Sequence, residues 1–295
     1  MHCKSLILPC LLFSLTATAQ QKDQTTYKTT PGGFEYQIIK DAPGNKTPAV
    51  GDYISLHIIT TYKDDVTDSL MFNSRLMNNG EPLSMPIGAP SFNGDLMEGF
   101  ALLTAGDSAF FRVRVDSMKK AGMQLLPFMK DGGYMQYNVQ MVSVKTAQEV
   151  EKEQQEKAAQ QIKTDESLLQ EYFKQNKITP QKTASGLYYV ITSPGKGENA
   201  KPGNTVTVNY TGKLLNGEVF DSNLDPQFNH VEPFKFPLGQ GRVIKGWDEG
   251  IALLNPGAKA TLYIPSHMAY GAQSPSPKIP AHSILVFDVE LIAAE

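Results

Sequence analysis

A chain of 295 residues is longer than one small hydrophobic core can serve, and it predicts two domains of ordinary size. Hydrophobic residues make up 41% and charged residues 19%, the composition of a folded globular chain rather than a disordered one. A formal net charge of -3, a sequence pI near 6.0 and the lack of any basic cluster argue against nucleic acid as a partner.

The first segment has a character of its own. Met1-His2-Cys3-Lys4 carries one positive charge, Leu6 to Leu15 is almost unbrokenly apolar, and Ala17-Thr18-Ala19 supplies a small-x-small pattern. The apolar run is about half the length that spanning a bilayer requires, so no membrane span is expected. Residues 1–19 therefore read as a signal peptide cleaved near Ala19, and the style of the signal points to export into a bacterial periplasm. A buried amino-terminal helix fits less well because Pro9 interrupts the run, and a lipid anchor on Cys10 fits less well because Pro9 precedes it. Cleavage would remove Cys3 and Cys10, the only cysteines, and with them any disulfide or thiol chemistry. No His/Cys/Asp cluster has ligand spacing, so neither a metal nor a cofactor is expected.

Further along, short stretches recur at nearly one offset. Met71-Phe72-Asn73-Ser74 echoes Val219-Phe220-Asp221-Ser222, with 219 − 71 = 148. Glu98-Gly99-Phe100-Ala101-Leu102-Leu103 echoes Glu249-Gly250-Ile251-Ala252-Leu253-Leu254, with 249 − 98 = 151. Tyr137-Asn138-Val139-Gln140 echoes Phe287-Asp288-Val289-Glu290, with 287 − 137 = 150. Three matches in the same order predict two copies of one fold, over 27–146 and 179–295.

Residues 147–178 between them are rich in strong helix formers without Gly or Pro, and Thr179-Pro180 should stop the helix. Leu168, Leu169, Tyr172 and Phe173 form an apolar stripe at its far end. The polar first half reads as a solvated spacer and the striped end as docked on a domain; a dimer seam is disfavoured, because no heptad pattern is sustained.

In the second copy, 186–191, 205–211, 259–264 and 283–291 carry strand signals. Trp247, Ile251 and Leu254 give one short helix a core-facing side, ended by Asn255-Pro256-Gly257. The pattern is α+β: a twisted antiparallel sheet wrapped on one short helix.

The motifs of this copy then appear in a definite order. Val208-Asn209-Tyr210-Thr211-Gly212 precedes Val219-Phe220-Asp221-Ser222 and Pro233-Phe234-Lys235-Phe236. Val243-Ile244-Lys245-Gly246-Trp247, Ala269-Tyr270-Gly271-Ala272, Ile279-Pro280-Ala281-His282 and Leu285-Val286-Phe287-Asp288-Val289-Glu290-Leu291 follow. From about Ser185 to Glu295 the chain resembles the FKBP-type peptidyl-prolyl cis/trans isomerases, and the whole then reads as two FKBP-like domains joined by a helical linker.

The resemblance implies a pocket. Trp247 would form its floor, and Tyr210, Phe234, Val243, Ile244 and Phe287 its walls. Phe220 and Asp221 would flank the turning carbonyl, Ile279 would shape a flap, and the Ile244 N–H and Tyr270 hydroxyl would hold peptide carbonyls. Tyr210, Phe220, Asp221, Trp247, Tyr270 and Phe287 are the expected catalytic set, and Phe234, Val243, Ile244 and Ile279 the expected substrate contacts. Phe236, Tyr263 and Leu285 read as core, His267 and His282 as structural histidines, and Lys245 and Lys278 as solvated.

Some positions depart from the family pattern. Asn223 to Glu232 is longer than in the smallest members and holds no arginine to pair with Asp221, while Pro275 and Lys278 replace common flap residues. In the first copy Ile58, Asn73 and Leu96 stand for the tyrosine, aspartate and tryptophan, and no Ala-Tyr-Gly motif occurs, so that copy is expected to keep the fold without the activity. Met118, Met123, Met129 and Met135 there form either an adaptable peptide-binding surface or ordinary core and loop. The expected activity is prolyl isomerisation in unfolded or partly folded exported polypeptides; the alternative is a holdase-type or peptide-binding module with incidental isomerisation.

Overall fold

The computed structural model describes residues 26–44 and 46–295. The predicted signal peptide, with Cys3 and Cys10, lies outside the described residues. The described residues divide into two compact units, one up to Val150 and one from Glu151 to Glu295.

The first unit is an antiparallel sheet of β1 (Lys28–Thr29), β2 (Glu35–Lys40), β3 (Tyr53–Lys63), β4 (Asp68–Asn73), β5 (Leu83–Pro86), β6 (Ser108–Arg114) and β7 (Tyr134–Lys145). Strand β3 shows why it forms. Ile54, Leu56, Ile58, Thr60 and Tyr62 alternate inward while Ser55, His57, Ile59 and Thr61 face away, the period of a half-buried strand. The strand order is β1-β2-β6-β7-β3-β4, with β5 also paired to β3. Helix α2 (Leu96–Phe100) is capped by the Asp95 carboxylate, which accepts from the Met97 N–H at 3.0 Å. Two further short helices, α1 (Ser74–Met77) and α3 (Val115–Lys120), are additions to the single helix expected of each copy.

The second unit contains β8 (Gln181–Lys182), β9 (Tyr188–Ser193), β10 (Thr205–Leu214), β11 (Val219–Ser222), β12 (Phe234–Pro237), β13 (Lys259–Ile264) and β14 (Leu285–Ala294). Its order, read from the other edge, is β8-β9-β13-β14-β10-β11, with β12 also paired to β10. Strand for strand this is the topology of the first unit, at offsets of 259 − 108 = 151 and 285 − 134 = 151. The architecture is α+β in both copies, and the connectivity carries the repeat better than the side chains do.

The predicted helix at Trp247–Leu254 runs instead from Lys245 to Ala252 (α5). Leu253 and Leu254 close tight three-residue turns onto Gly250 and Ile251 before the Asn255-Pro256-Gly257 stop. Trp247 and Ile251 face the core, and glycines allow the helix to lie close to the sheet. A Cβ on Gly246 would come within 2.4 Å of Ile264, and one on Gly250 within 2.6 Å of Leu262.

Helix α4 (Ala147–Asn176) opens on a reciprocal cap, in which the Glu149 carboxylate accepts from the Thr146 N–H at 2.6 Å and the Thr146 hydroxyl from the Glu149 N–H at 3.1 Å. It ends as Lys177 turns left-handed at φ 55° and the Ile178 N–H bonds the Phe173 carbonyl at 2.9 Å. Its striped end packs against β9, β13 and β14: Leu169 and Phe173 are buried with Tyr188, Tyr263, Ile284 and Val286. The Phe173 ring lies 5.0 Å from both Tyr188 and Tyr263. Leu168 stays half-exposed, so the apolar stripe is narrower than its spacing predicts. Tyr263 and Leu285 are core, as read from the sequence.

Phe173→Ala removes a ring from this seam and should destabilise the second unit by about 3 kcal/mol or more. Urea unfolding followed by the fluorescence of Trp247, the single tryptophan, measures it; an unchanged midpoint would show that α4 is not docked in solution.

Candidate active site

The amino end of α5, the inner faces of β10 and β14, and the turn after Ser266–Met268 enclose a hollow of about 210 Å³. Trp247 is 4% exposed, and its ring meets Tyr210 at 5.1 Å and 82° and Phe287 at 5.2 Å and 85°. Phe234 touches the same indole at 6.2 Å and 69°. Edge-to-face contacts of this kind are favoured by the ring quadrupoles and leave space above the ring that stacked rings would fill. The buried indole N–H has no hydrogen-bond partner among the described residues.

Phe220 meets Phe287 at 5.5 Å and 83°. Gly212 makes that approach possible, because a Cβ there would sit 2.7 Å from both rings. Phe236 packs beneath, 5.8 Å from Trp247 and 3% exposed, and belongs to the core.

One wall is polar. The Tyr210 hydroxyl donates to one Asp221 oxygen at 2.7 Å, and the His230 Nε2 lies 2.7 Å from the other. The His230 ring also stacks beside Tyr210 at 6.5 Å and 27°. Both carboxylate oxygens are therefore held, and the aspartate is fixed as an electrostatic feature of the wall.

Burial raises the Tyr210 pKa, and the Asp221 carboxylate beside it raises it further. The Tyr270 pKa is raised by burial first and by Asp221 second. Both hydroxyls stay protonated through the neutral range. That of Tyr270 has no partner among the described residues, and the Ile244 N–H, just before α5, likewise donates to nothing. Two donors thus stand at the edge of an aromatic hollow.

Nine of the ten site residues predicted from sequence line this hollow: Tyr210, Phe220, Asp221, Phe234, Val243, Ile244, Trp247, Tyr270 and Phe287. Ile279 does not; it is 6% exposed and packed into the core behind the flap. Two neighbours were missed. Arg242 lines the rim, and its place directly before Val243-Ile244 was a usable signal. His230 is the one basic side chain in Asn223–Glu232, the segment that lacks arginine. Lys278 is not merely solvated, since its ammonium lies 5.1 Å over the Phe228 ring. His267 bonds the Ser185 carbonyl at 3.2 Å, in keeping with a structural role.

Strand ladders place the equivalent positions in the first unit. In β10–β11, Gly212 pairs with Asp221 and Lys213 with Val219, so Phe220 is bulged out. In β3–β4, Thr60 pairs with Phe72 and Thr61 with Leu70, so Met71 is bulged out. The register assigns the aspartate's position to Phe72, one residue before the Asn73 that sequence matching chose. Ser74 confirms the shift: its hydroxyl accepts the Ile58 N–H at 2.9 Å, as the Asn223 side chain accepts the Tyr210 N–H at 2.7 Å. The first unit has neither the carboxylate nor the indole at these positions.

Comparison with known proteins relates the second unit to one family. The family model described as FKBP-type peptidyl-prolyl cis-trans isomerase matches residues 196–292. FK506-binding protein 1A of Aspergillus fumigatus is 45% identical over 108 residues, which cover 36% of this chain and 93% of that protein. The probable FKBP-type peptidyl-prolyl cis-trans isomerase FkpA of Neisseria meningitidis serogroup B is 43% identical over 146 residues, 48% of this chain and 52% of the relative. The chain thus spans about half the length of the Neisseria relative and 43% of a probable isomerase of Haemophilus influenzae. The crystal structure of AtFKBP13 is 38% identical, covering 40% of this chain and 99% of that one, with a TM-score of 0.36.

The raised Tyr210 pKa has a consequence for stability with a definite sign. A group that gains protons on folding stabilises fully below its unfolded pKa, about 10 for tyrosine, and loses that contribution as pH rises. Urea midpoints of the wild type should therefore fall between pH 9 and 11 more steeply than those of Tyr210→Phe; parallel slopes would mean that Tyr210 is not buried beside Asp221.

Proposed function

The chain belongs to the FKBP-type peptidyl-prolyl cis-trans isomerase family, and from that membership we propose that its second unit catalyses rotation about Xaa-Pro bonds in the hollow over Trp247. The observation that carries the proposal is the edge-on enclosure of one indole by Tyr210, Phe234 and Phe287 with two unpaired donors at its rim. Rotation about an Xaa-Pro bond loses amide resonance and faces a barrier of about 18–20 kcal/mol. The planar amide is the more charge-separated species, and the twisted amide the less polar one. A dry aromatic cup destabilises the first relative to the second, so proton transfer is not required. An acceleration of about 10⁵ would need a barrier lower by about 7 kcal/mol.

In this mechanism the proline ring rests on Trp247 between Tyr210 and Phe287. The Ile244 N–H and the Tyr270 hydroxyl hold peptide carbonyls on either side of the turning bond. Phe220 and the fixed Asp221 face the carbonyl that leaves the plane. Ile279 supports the flap from within the core rather than by contact.

Substrates are proline-containing unfolded or partly folded polypeptides. The amino-terminal sequence favours exported proteins and a periplasmic site of action, and no helix among the described residues is long and apolar enough to cross a membrane. Domain limits of 27–146, 147–178 and 179–295 fit the repeated strand order. A second reading, client holding by the first unit, is favoured by the exposure of Leu76 and Met77 on α1, each 74% exposed, and of Met123, Leu126 and Phe128 near α3.

The full chain should accelerate cis/trans exchange of an Ala-Xaa-Pro-Phe peptide, and Trp247→Ala should lower kcat/KM by about tenfold or more. An exchange rate equal to buffer would refute the isomerase. Aggregation of a denatured client separates the two readings: holding by the first unit should survive Trp247→Ala, and its loss there would refute a separate holding role.

A further inference from the structure

We propose that Asp165 on α4 is a positioning residue for Tyr270, so that the docked helix sets the flap of the isomerisation pocket; this rests on the isomerase reading above. Asp165 is 1% exposed, and among the described residues its carboxylate is paired with no cation. One oxygen accepts from the Ser266 N–H at 2.8 Å and the Ser266 hydroxyl at 2.6 Å; the other accepts from the Gln161 side-chain amide at 2.8 Å. A carboxylate buried without a countercharge is costly unless several donors compensate it. Packing alone gives no reason for it here, because Leu169 and Phe173 already seat the helix through apolar contacts.

What the charge holds is Ser266, itself 1% exposed. The Ser266 carbonyl accepts from the Ala269 N–H at 3.0 Å and from the Gly271 N–H at 2.9 Å. Those two amides bracket Tyr270, whose ring lines the hollow. The path is therefore short and continuous: the Asp165 carboxylate fixes Ser266, one Ser266 oxygen gathers the turn, and the turn aims the tyrosine. Hydrogen bonds to an ionised acceptor are about twice as strong as neutral ones, which suits a single tie.

Open space flanks this tie. Between α4 and the flap lies an open groove of about 560 Å³, bounded by Gln161, Ser266, His267, Gly271, Ala272 and His282. On its other side the turn is held by the His282 N–H, which donates to the Gly271 carbonyl at 2.7 Å. With the tie cut, Tyr270 would keep its place in the chain but lose its aim.

A double-mutant cycle on kcat/KM distinguishes positioning from general destabilisation. Asp165→Ala should lower kcat/KM by about threefold to tenfold in the wild-type background and by less than about twofold in the Tyr270→Phe background. Amide exchange at Ala269 and Gly271 should also quicken in Asp165→Ala while the amides of β13 and β14 stay protected. If Asp165→Ala does not fold, Ser266→Ala removes one of the two contacts to Ser266, and its smaller loss should vanish in the same background. Equal losses with and without the Tyr270 hydroxyl would overturn the proposal. A wild-type chain with no activity would sink the isomerase reading instead, and unchanged exchange at Ala269 and Gly271 in Asp165→Ala would then still overturn the tie.

Discussion

The second unit is organised by the packing of aromatic rings edge-on around one indole. Trp247 meets Tyr210 and Phe287 at close to right angles, and Phe220 extends the set through Phe287. Rings in this arrangement are rigid and apolar, yet they do not fill the space above the tryptophan. The chain contributes by removing side chains where backbone must come close. Gly212 lets Phe220 and Phe287 approach over β10, and Gly246 and Gly250 let α5 lie against Ile264 and Leu262. A methyl group at any of the three would displace the floor or a wall.

Charge is used sparingly around this hollow. Asp221 is the one acidic group lining it, and its oxygens are committed to Tyr210 and His230. A free carboxylate would draw water into the site. A held one sets a fixed field on this wall and ties down the Tyr210 ring. The two copies differ at just this point. With the same strand order and the same bulge, Met71 and Phe72 stand where Phe220 and Asp221 stand, so the scaffold persists after the polar wall has gone.

The fold was legible in the sequence because each signal was local: the alternation along β10, the Asn255-Pro256-Gly257 stop after α5, and the repeat near 150 residues. The pocket was legible through ordered motifs that the family resemblance joined. Three features escaped. His230 lies in a segment longer than the family pattern, so nothing in that pattern assigned it a partner. The one-residue slip between Asn73 and Phe72 is decided by a bulge, which is a property of paired strands and not of either strand alone. The Asp165–Ser266 contact links residues 101 apart, and no periodicity in α4 singles out that aspartate. Ile279 is not among the residues that line the hollow; its side chain turns inward.

In the proposed mechanism a water-poor aromatic hollow turns a proline amide without moving a proton. The solvent deuterium isotope effect on catalysed peptide exchange tests it most directly. A rate ratio near unity, unchanged across the neutral pH range, is the predicted result. A ratio of about two or more would show proton transfer in the rate-limiting step and would contradict the account.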